Sequence, residues 1–286
     1  MDSDSDFYGD EETVTDLQAR VDNFDLSAWW LNHHTGPRAF PTPKELPTPP
    51  TPCYSNHPSP PGARHPSESI EAFLSRLPPA TTEWCPGLDW IWISNPFSQS
   101  PGASPPLLHH FREGGQERLA LLSRFTTMAN RSGMPQFVIK QDVAKERMEA
   151  VEDLLQLASG CNLISGKWML FPEPENVNSV WAKVVRATAD NELGTAAKVE
   201  TKAEAGKERL ICVYTRDFRD KDDVARVLKR MRELELVRPG GRQIYYKSDA
   251  WTELGIYGGN PWGIGASMYS SNEIFSYIKN VGSQRA

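Results

Sequence analysis

The chain has 286 residues, which allows one large domain or two small ones. Its net charge of −6 is unevenly placed: residues 1–25 contain nine acidic side chains and one arginine, whereas the rest contains 30 basic and 28 acidic side chains. There is no apolar run of the roughly 18 residues that a membrane helix needs, no signal-peptide pattern at the start and no CxxC motif, so we expect a reduced, cytoplasmic protein, with the nucleus as a further compartment.

The first 66 residues are predicted to form a disordered tail. Residues 1–23 are acidic and poor in apolar side chains, and residues 37–66 contain 11 prolines, so neither stretch can bury enough surface to offset the entropy of ordering. Between them lies a short amphipathic patch at 24–31, which contains Trp29 and Trp30. Two adjacent tryptophans expose much apolar area, and this patch is a candidate docking motif for a protein partner.

The proline-rich stretch also contains minimal sites for proline-directed kinases. Phosphorylation would add about −1.5 to −2 charges at each site. Ser-Pro and Thr-Pro dipeptides also arise by chance in any proline-rich tail that contains serine and threonine. The sites are Thr42, Thr48, Thr51 and Ser59.

A single α+β domain is predicted over residues 67–286, beginning with a helix near 70–77 and a short strand at 90–93. A helix is predicted over 116–131, with Leu121, Phe125 and Met128 on one face and Leu122 and Ala129 beside them. A second helix is predicted over 142–158, with Asp142 as the cap. The composition of residues 94–106 is that of a loop.

Strands and helices alternate after Gly166. The pattern predicts strands at 167–171, 197–202, 210–214, 242–247 and 254–257, and helices at 177–189, 222–234 and 272–279. The helix at 222–234 has the clearest apolar stripe, and Asp220 stands at its start as a candidate cap. Strands outnumber the helices between them, which favours a helix layer on one face of a sheet.

Residues that carry common catalytic chemistry are scarce in the compact half. All six histidines precede residue 111, and the glycine-rich run from Gly258 to Gly265 matches neither a dinucleotide-binding loop nor a phosphate loop. It is most simply a surface loop. Its Trp262 is either a stacking platform for a base or a plug at the edge of the core. We therefore expect no catalytic residue, no cofactor and no metal.

Basic residues give the remaining functional lead. Lys198 and Lys202 share one face of an alternating strand, and Lys207 and Arg209 follow at the next turn. Residues 160–286 contain 19 basic and 16 acidic side chains, a smaller excess than in a strongly basic nucleic-acid module. Either these bases cluster on one sheet face and contact phosphates, or they belong to an ordinary solvated surface.

The order of several motifs resembles the basophilic-leukaemia-expressed protein family, a family of uncharacterised function whose fold is like that of translation initiation factor 4E. The resemblance covers roughly residues 70–275 and is densest after 160. The motifs are Gly166-Lys-Trp-Met-Leu-Phe171, Val180-Trp-Ala-Lys183, Ala197-Lys-Val199, Ile211-Cys-Val-Tyr-Thr215 with Asp217-Phe218, Tyr245-Tyr-Lys-Ser-Asp249, Leu254-Gly-Ile-Tyr257 and Asn260-Pro-Trp-Gly263.

The resemblance implies a curved antiparallel sheet with helices on its convex side. Lys202, Lys207 and Arg209 fall near the phosphate-contacting bases of the initiation factor. Its second stacking tryptophan and its base-reading acid have no counterpart between Lys202 and Leu210, so cap binding is not implied.

Two functions are therefore in competition. One is a non-enzymatic module that binds RNA or a nucleotide on the concave sheet face, through Lys198, Lys202, Lys207 and Arg209 with Trp262 as the stacking ring. The other is a protein-interaction adaptor that uses the tail and the motif at Trp29 and Trp30. Neither requires a membrane, and an enzyme ranks behind both.

Overall fold

The computed structural model describes residues 61–98, 104–202, 204, 206–238 and 240–284, together with Thr15. The expectations for the disordered tail, for Trp29 and Trp30 and for the four phosphorylation sites lie outside these residues. Residues 61–66 are described, and they contact the strand at Trp90–Ser94: Arg64 N donates to Trp92 O at 3.0 Å, and Trp92 N donates to Gly62 O at 2.8 Å. Residues 61–66, which lie before the boundary expected at 67, are therefore part of the described fold.

The described part is an α+β structure, as the sequence predicts. Its strands are β1 Trp90–Ser94, β2 Gly166–Leu170, β3 Ala196–Glu200, β4 Ile211–Thr215, β5 Tyr245–Ser248 and β6 Tyr269–Ser270. Its helices are α1 Ile70–Arg76, α2 Leu108–Arg131, α3 Gln136–Gly160, α4 Val177–Ala189, α5 Lys221–Glu233, α6 Asp249–Glu253 and α7 Ser271–Gln284.

The six strands form one curved sheet in the order β1-β3-β4-β2-β5-β6, and every neighbouring pair is antiparallel. Side chains alternate between the two faces along each strand. On one face, here called the helix face, α4 packs against β1 and β3 and α5 packs against β4. The indole of Trp168 is fully buried on this face and donates to Val224 O of α5 at 3.1 Å.

Tyr246, from the neighbouring strand, also belongs to the helix face. Its hydroxyl lies 2.6 Å from Thr215 Oγ1, and burial raises its pKa strongly. A Cβ on Gly166 would lie 2.3 Å from the Tyr246 hydroxyl oxygen, so only glycine fits at the start of β2. The opposite side of the sheet is here called the open face.

The helices bury the apolar stripes predicted from the sequence, with one partial exception. The stripe predicted for α5 is confirmed, because Val224, Val227, Leu228 and Met231 are buried, and Asp220 Oδ1 accepts the Asp223 amide at 3.0 Å. In α2 the prediction is wrong in part: Leu121, Phe125 and Met128 are exposed, whereas Leu122 and Ala129, predicted beside them, are buried together with Leu119.

Several boundaries differ from the sequence prediction, and helix α2 begins at Leu108 rather than at 116. Helix α3 begins at Gln136, after Pro135, so Asp142 lies inside the helix and does not cap it. No strand covers 254–257 in the described chain, because Leu254 ends α6 and packs against Gly115 of α2, and the sheet ends instead with Tyr269 and Ser270. An apolar residue in a tight helix contact has the same local pattern as one in a strand.

Candidate functional site: a lysine pocket on the open face

The strand register places three lysines on the open face. Lys198 of β3 lies opposite Trp92 of β1 and Cys212 of β4. Lys167 of β2 lies opposite both Tyr214 of β4 and Lys247 of β5. Directly opposed residues of antiparallel strands project to the same side of the sheet, about 4.5–5.5 Å apart at Cβ. The ladder therefore collects these cations from strands that are far apart in sequence.

A cavity of about 620 Å³ opens over these side chains and is here called the lysine pocket. Its floor contains Lys167, Lys198, Lys247 and Cys212, and its sides include the aromatic rings of Trp90, Phe171, Tyr245 and Tyr257. The volume is within the range of about 300–1,000 Å³ that is typical of small-molecule sites.

Lys167 is the one pocket lysine with a carboxylate partner among the described residues. Its Nζ forms an ion pair with Asp249 at the start of α6 and donates to Thr252 Oγ1 at 2.8 Å. Ser165 Oγ donates to the other carboxylate oxygen of Asp249. The charge of Lys167 is therefore largely balanced inside the protein.

Lys198 and Lys247 are held over aromatic rings. Lys198 Nζ lies 3.8 Å from the ring centroid of Trp90 and 4.8 Å from that of Trp92, and Lys247 Nζ lies 3.8 Å from the ring of Tyr257. Ring quadrupoles attract cations but do not neutralise them. Within the described chain neither ammonium group has an ion-pair partner, although only 5% of Lys247 is exposed.

Burial lowers the pKa values of both Lys198 and Lys247. For Lys247, burial together with the positive charge of Lys167 lowers the pKa to about 8. Burial raises the pKa of the Cys212 thiol to about 11, so this thiol is neutral and is not the anion that balances them.

Of the residues singled out from the sequence, the structure brings Lys198 into the lysine pocket. Lys202 lies beyond the end of β3, where its Nζ is 4.0 Å from Glu83. Trp262 does not line the pocket: it is partly buried against the core, and its carbonyl accepts from Arg147 Nε at 2.9 Å. The glycine-rich loop nevertheless contributes to the pocket wall through Gly258.

Lys207 and Arg209 line a smaller neighbouring cavity of about 230 Å³, which shares Trp90 with the lysine pocket. Lys207 is exposed and lies 3.9 Å from Glu204. Arg209 is only 3% exposed, and although its terminal nitrogens donate to backbone carbonyls, its Nε has no partner among the described residues. As binding residues, Lys202, Lys207, Arg209 and Trp262 stay predictions.

Sequence reasoning missed Lys167 and Lys247 as members of the site. Each stands in a short strand beside bulky apolar residues, and a lysine in such a strand was the available signal. The local sequence does not show that β2 pairs with β5, which lies about 80 residues later in the chain.

The described residues contain neither a metal-binding cluster nor a membrane-spanning helix. No group of three or more His, Cys, Asp or Glu side chains in this part of the chain is arranged to hold a metal ion. None of its helices combines the length and apolar character needed to cross a bilayer.

Comparison with known families gives one assignment. The family model described as Basophilic leukemia-expressed protein Bles03 matches residues 17–255, which is most of the chain and includes every strand of the sheet except β6. The chain therefore belongs to the Bles03 family.

Proposed function

We propose that this protein is a non-enzymatic module that binds the phosphate and base of a nucleotide, free or within single-stranded RNA, in the lysine pocket. The observation that carries the proposal is the pair Lys198 and Lys247. Their ammonium groups are desolvated in a ligand-sized cavity, and neither forms an ion pair within the described residues. Among the described residues that line the cavity, the one carboxylate is that of Glu200, which accepts from Leu210 N at 3.0 Å. A buried cation is costly unless it is paired, and an anionic ligand supplies the missing charge.

The aromatic wall supports a nucleotide over a bare anion. Tyr245 is 42% exposed at the pocket rim, and its ring has no aromatic or cationic partner within the described chain. Trp90 and Tyr257 each already hold a lysine. Tyr245 is therefore the ring best placed for a base, in the role that the sequence suggested for Trp262, and stacking on such a ring contributes about 1–3 kcal/mol.

We extend the proposal to the fold, which we infer to be of the translation initiation factor 4E type. The curved antiparallel sheet, with helices on one face and a cationic pocket on the other, supports this relationship. Cap binding is not part of the proposal.

Calorimetric titration of the full chain with guanosine diphosphate, a single-stranded RNA hexamer and inorganic phosphate tests the proposal and separates the ligand sources. Binding of the diphosphate with an affinity close to that of the hexamer identifies a free nucleotide, and clearly tighter binding of the hexamer identifies RNA. Binding of inorganic phosphate as strong as that of both contradicts the role of the base. Absence of binding by all three refutes the proposal and favours the adaptor based on Trp29 and Trp30.

The substitutions Tyr245→Ala and Tyr245→Phe form a matched pair for the stacking ring. We expect Tyr245→Ala to weaken nucleotide binding by about 5- to 150-fold, the equivalent of 1–3 kcal/mol, whereas Tyr245→Phe retains the ring and most of the affinity. Equal affinities for the two variants would remove Tyr245 from the site.

A further inference from the structure

The three pocket lysines are not chemically equivalent. Lys167 Nζ forms an ion pair with Asp249 and donates to Thr252 Oγ1, so its hydrogen-bonding capacity is largely used within the protein. Lys198 Nζ lies over two tryptophan rings, and this contact favours the charged form. Lys247 has a single tyrosine ring beside it and a cation, Lys167, on the opposed strand.

The groups that face Lys247 come from three other elements. Lys167 of β2 disfavours its protonated form, whereas the charge of Asp249 of α6, which also bonds Lys167 and Ser165, favours it by a smaller amount. Cys212 of β4 is a neutral thiol. Burial also disfavours the protonated form of Lys247. A lysine that is desolvated next to a second cation is a recognised arrangement for an activated amine nucleophile.

We propose that Lys247 is a carbonyl-reactive lysine, which forms a reversible imine with an anionic aldehyde or ketone bound in the lysine pocket. This goes beyond nucleotide binding and does not depend on a base. Lys198, which has no ion-pair partner among the described residues, provides the positive charge for the anionic group of the ligand, and the cavity of about 620 Å³ leaves room for it above Lys247.

The reaction is balanced without an oxidant or reductant. The neutral Nζ of Lys247 donates its electron pair to the carbonyl carbon, and the former C=O pair becomes a hydroxyl by taking a proton from the attacking nitrogen. The carbinolamine then loses that hydroxyl and a second nitrogen proton as water, which leaves the C=N bond. Hydrolysis returns both partners unchanged.

Reductive trapping on the full chain tests this inference. The protein is incubated with pyridoxal 5′-phosphate or with uncharged pyridoxal, borohydride fixes any imine, and peptide mass spectrometry measures the labelling rate at each lysine. Because the pKa of Lys247 is about 8 and that of an exposed lysine is about 10.4, we expect Lys247 to react at least about tenfold faster than exposed Lys140 at pH 7.4. The phosphate-bearing probe should be the faster of the two.

Matched variants guard against misassignment of the peptide. Lys247→Arg keeps the positive charge but cannot form an imine, so the fast phase should disappear, whereas Lys140→Arg should leave it intact. The labelling map of the unsubstituted chain gives the answer even where Lys247→Arg fails to fold.

The same protein preparation is also titrated with guanosine diphosphate. Nucleotide binding with no preferential labelling of Lys247 overturns the imine and leaves the proposed function standing. Preferential labelling of Lys247 without nucleotide binding supports the imine and overturns the proposed function. Labelling of Lys247 at the rate of Lys140 overturns the inference whatever the nucleotide result.

Discussion

The two faces of the sheet are built from the same strands but carry different properties. On the helix face, the adjacent strands β1, β3, β4 and β2 contribute Ile91, Val199, Val213 and Trp168, all of which are fully buried under helices. The residues that alternate with these along the same strands project to the open face, where they include aromatic residues and lysines. The helix face therefore carries most of the stability, whereas the open face keeps desolvated charge that a sheet without a ligand would not need.

Neighbouring residues of β2 provide the largest expected contrast. Trp168→Ala empties a fully buried site on the helix face and should lower the free energy of unfolding by about 3–5 kcal/mol. Met169→Ala, one residue later on the partly exposed pocket floor, should cost less than about 2 kcal/mol. Urea unfolding measures both, and equal losses would contradict the division of the sheet into two roles.

The pH dependence of stability reports the buried charge of Lys247. Its folded pKa of about 8 lies below the usual value of 10.5, so between these limits the unfolded chain binds more protons than the folded one. Stability from this group therefore rises with pH through the window, by on the order of 3 kcal/mol across its full width. The difference between the native chain and Lys247→Met, measured from pH 7.5 to 9.5, isolates the effect. A flat difference would show that Lys247 is solvated.

Two lysines of the open face should respond oppositely to loss of charge. Lys167→Met leaves Asp249 without its cation and should destabilise the protein by about 2 kcal/mol. Lys198→Met removes an ammonium that has no carboxylate partner among the described residues, and stability should stay within about 1 kcal/mol of the native value or rise. Thermal unfolding compares the pair, and a larger loss for Lys198→Met would show that its charge stabilises the ligand-free fold.

The helix cap at Asp220 gives the smallest expected effect. Asp220→Ala removes the acceptor for the Asp223 amide and should cost about 1 kcal/mol, without any change in ligand affinity because α5 covers the helix face. Lys229→Ala, at an exposed position later in the same helix, is the control. Loss of affinity in Asp220→Ala would mean that the two faces are coupled.

The helix face could be predicted from sequence far better than the open face. The stripe of α5 repeats every three to four residues and starts at a capping aspartate, so local spacing is sufficient. In α2, exposed Leu121 and Met128 mimic such a stripe, because a helix can leave apolar side chains in solvent.

The lysine pocket could be predicted only in part. Lys198 stood out in an alternating strand, but its partners in the pocket depend on which strands pair, and Lys167 meets Lys247 only through the β2–β5 ladder. Trp262 lies in a loop whose path the sequence does not fix. Gly258, in the same loop, lines the pocket, whereas Trp262 packs against the core.

The salt dependence of RNA binding tests the central claim most directly. The double variant Lys198→Met and Lys247→Met is compared with Lys140→Met and Lys229→Met, which removes two exposed charges outside the pocket. With a single-stranded RNA hexamer, we expect the pocket variant to flatten the slope of log affinity against log salt by about 1.4, or 0.7 for each lost phosphate contact, while the control keeps the native slope. Identical slopes for the two double variants, with both proteins folded, would contradict the account.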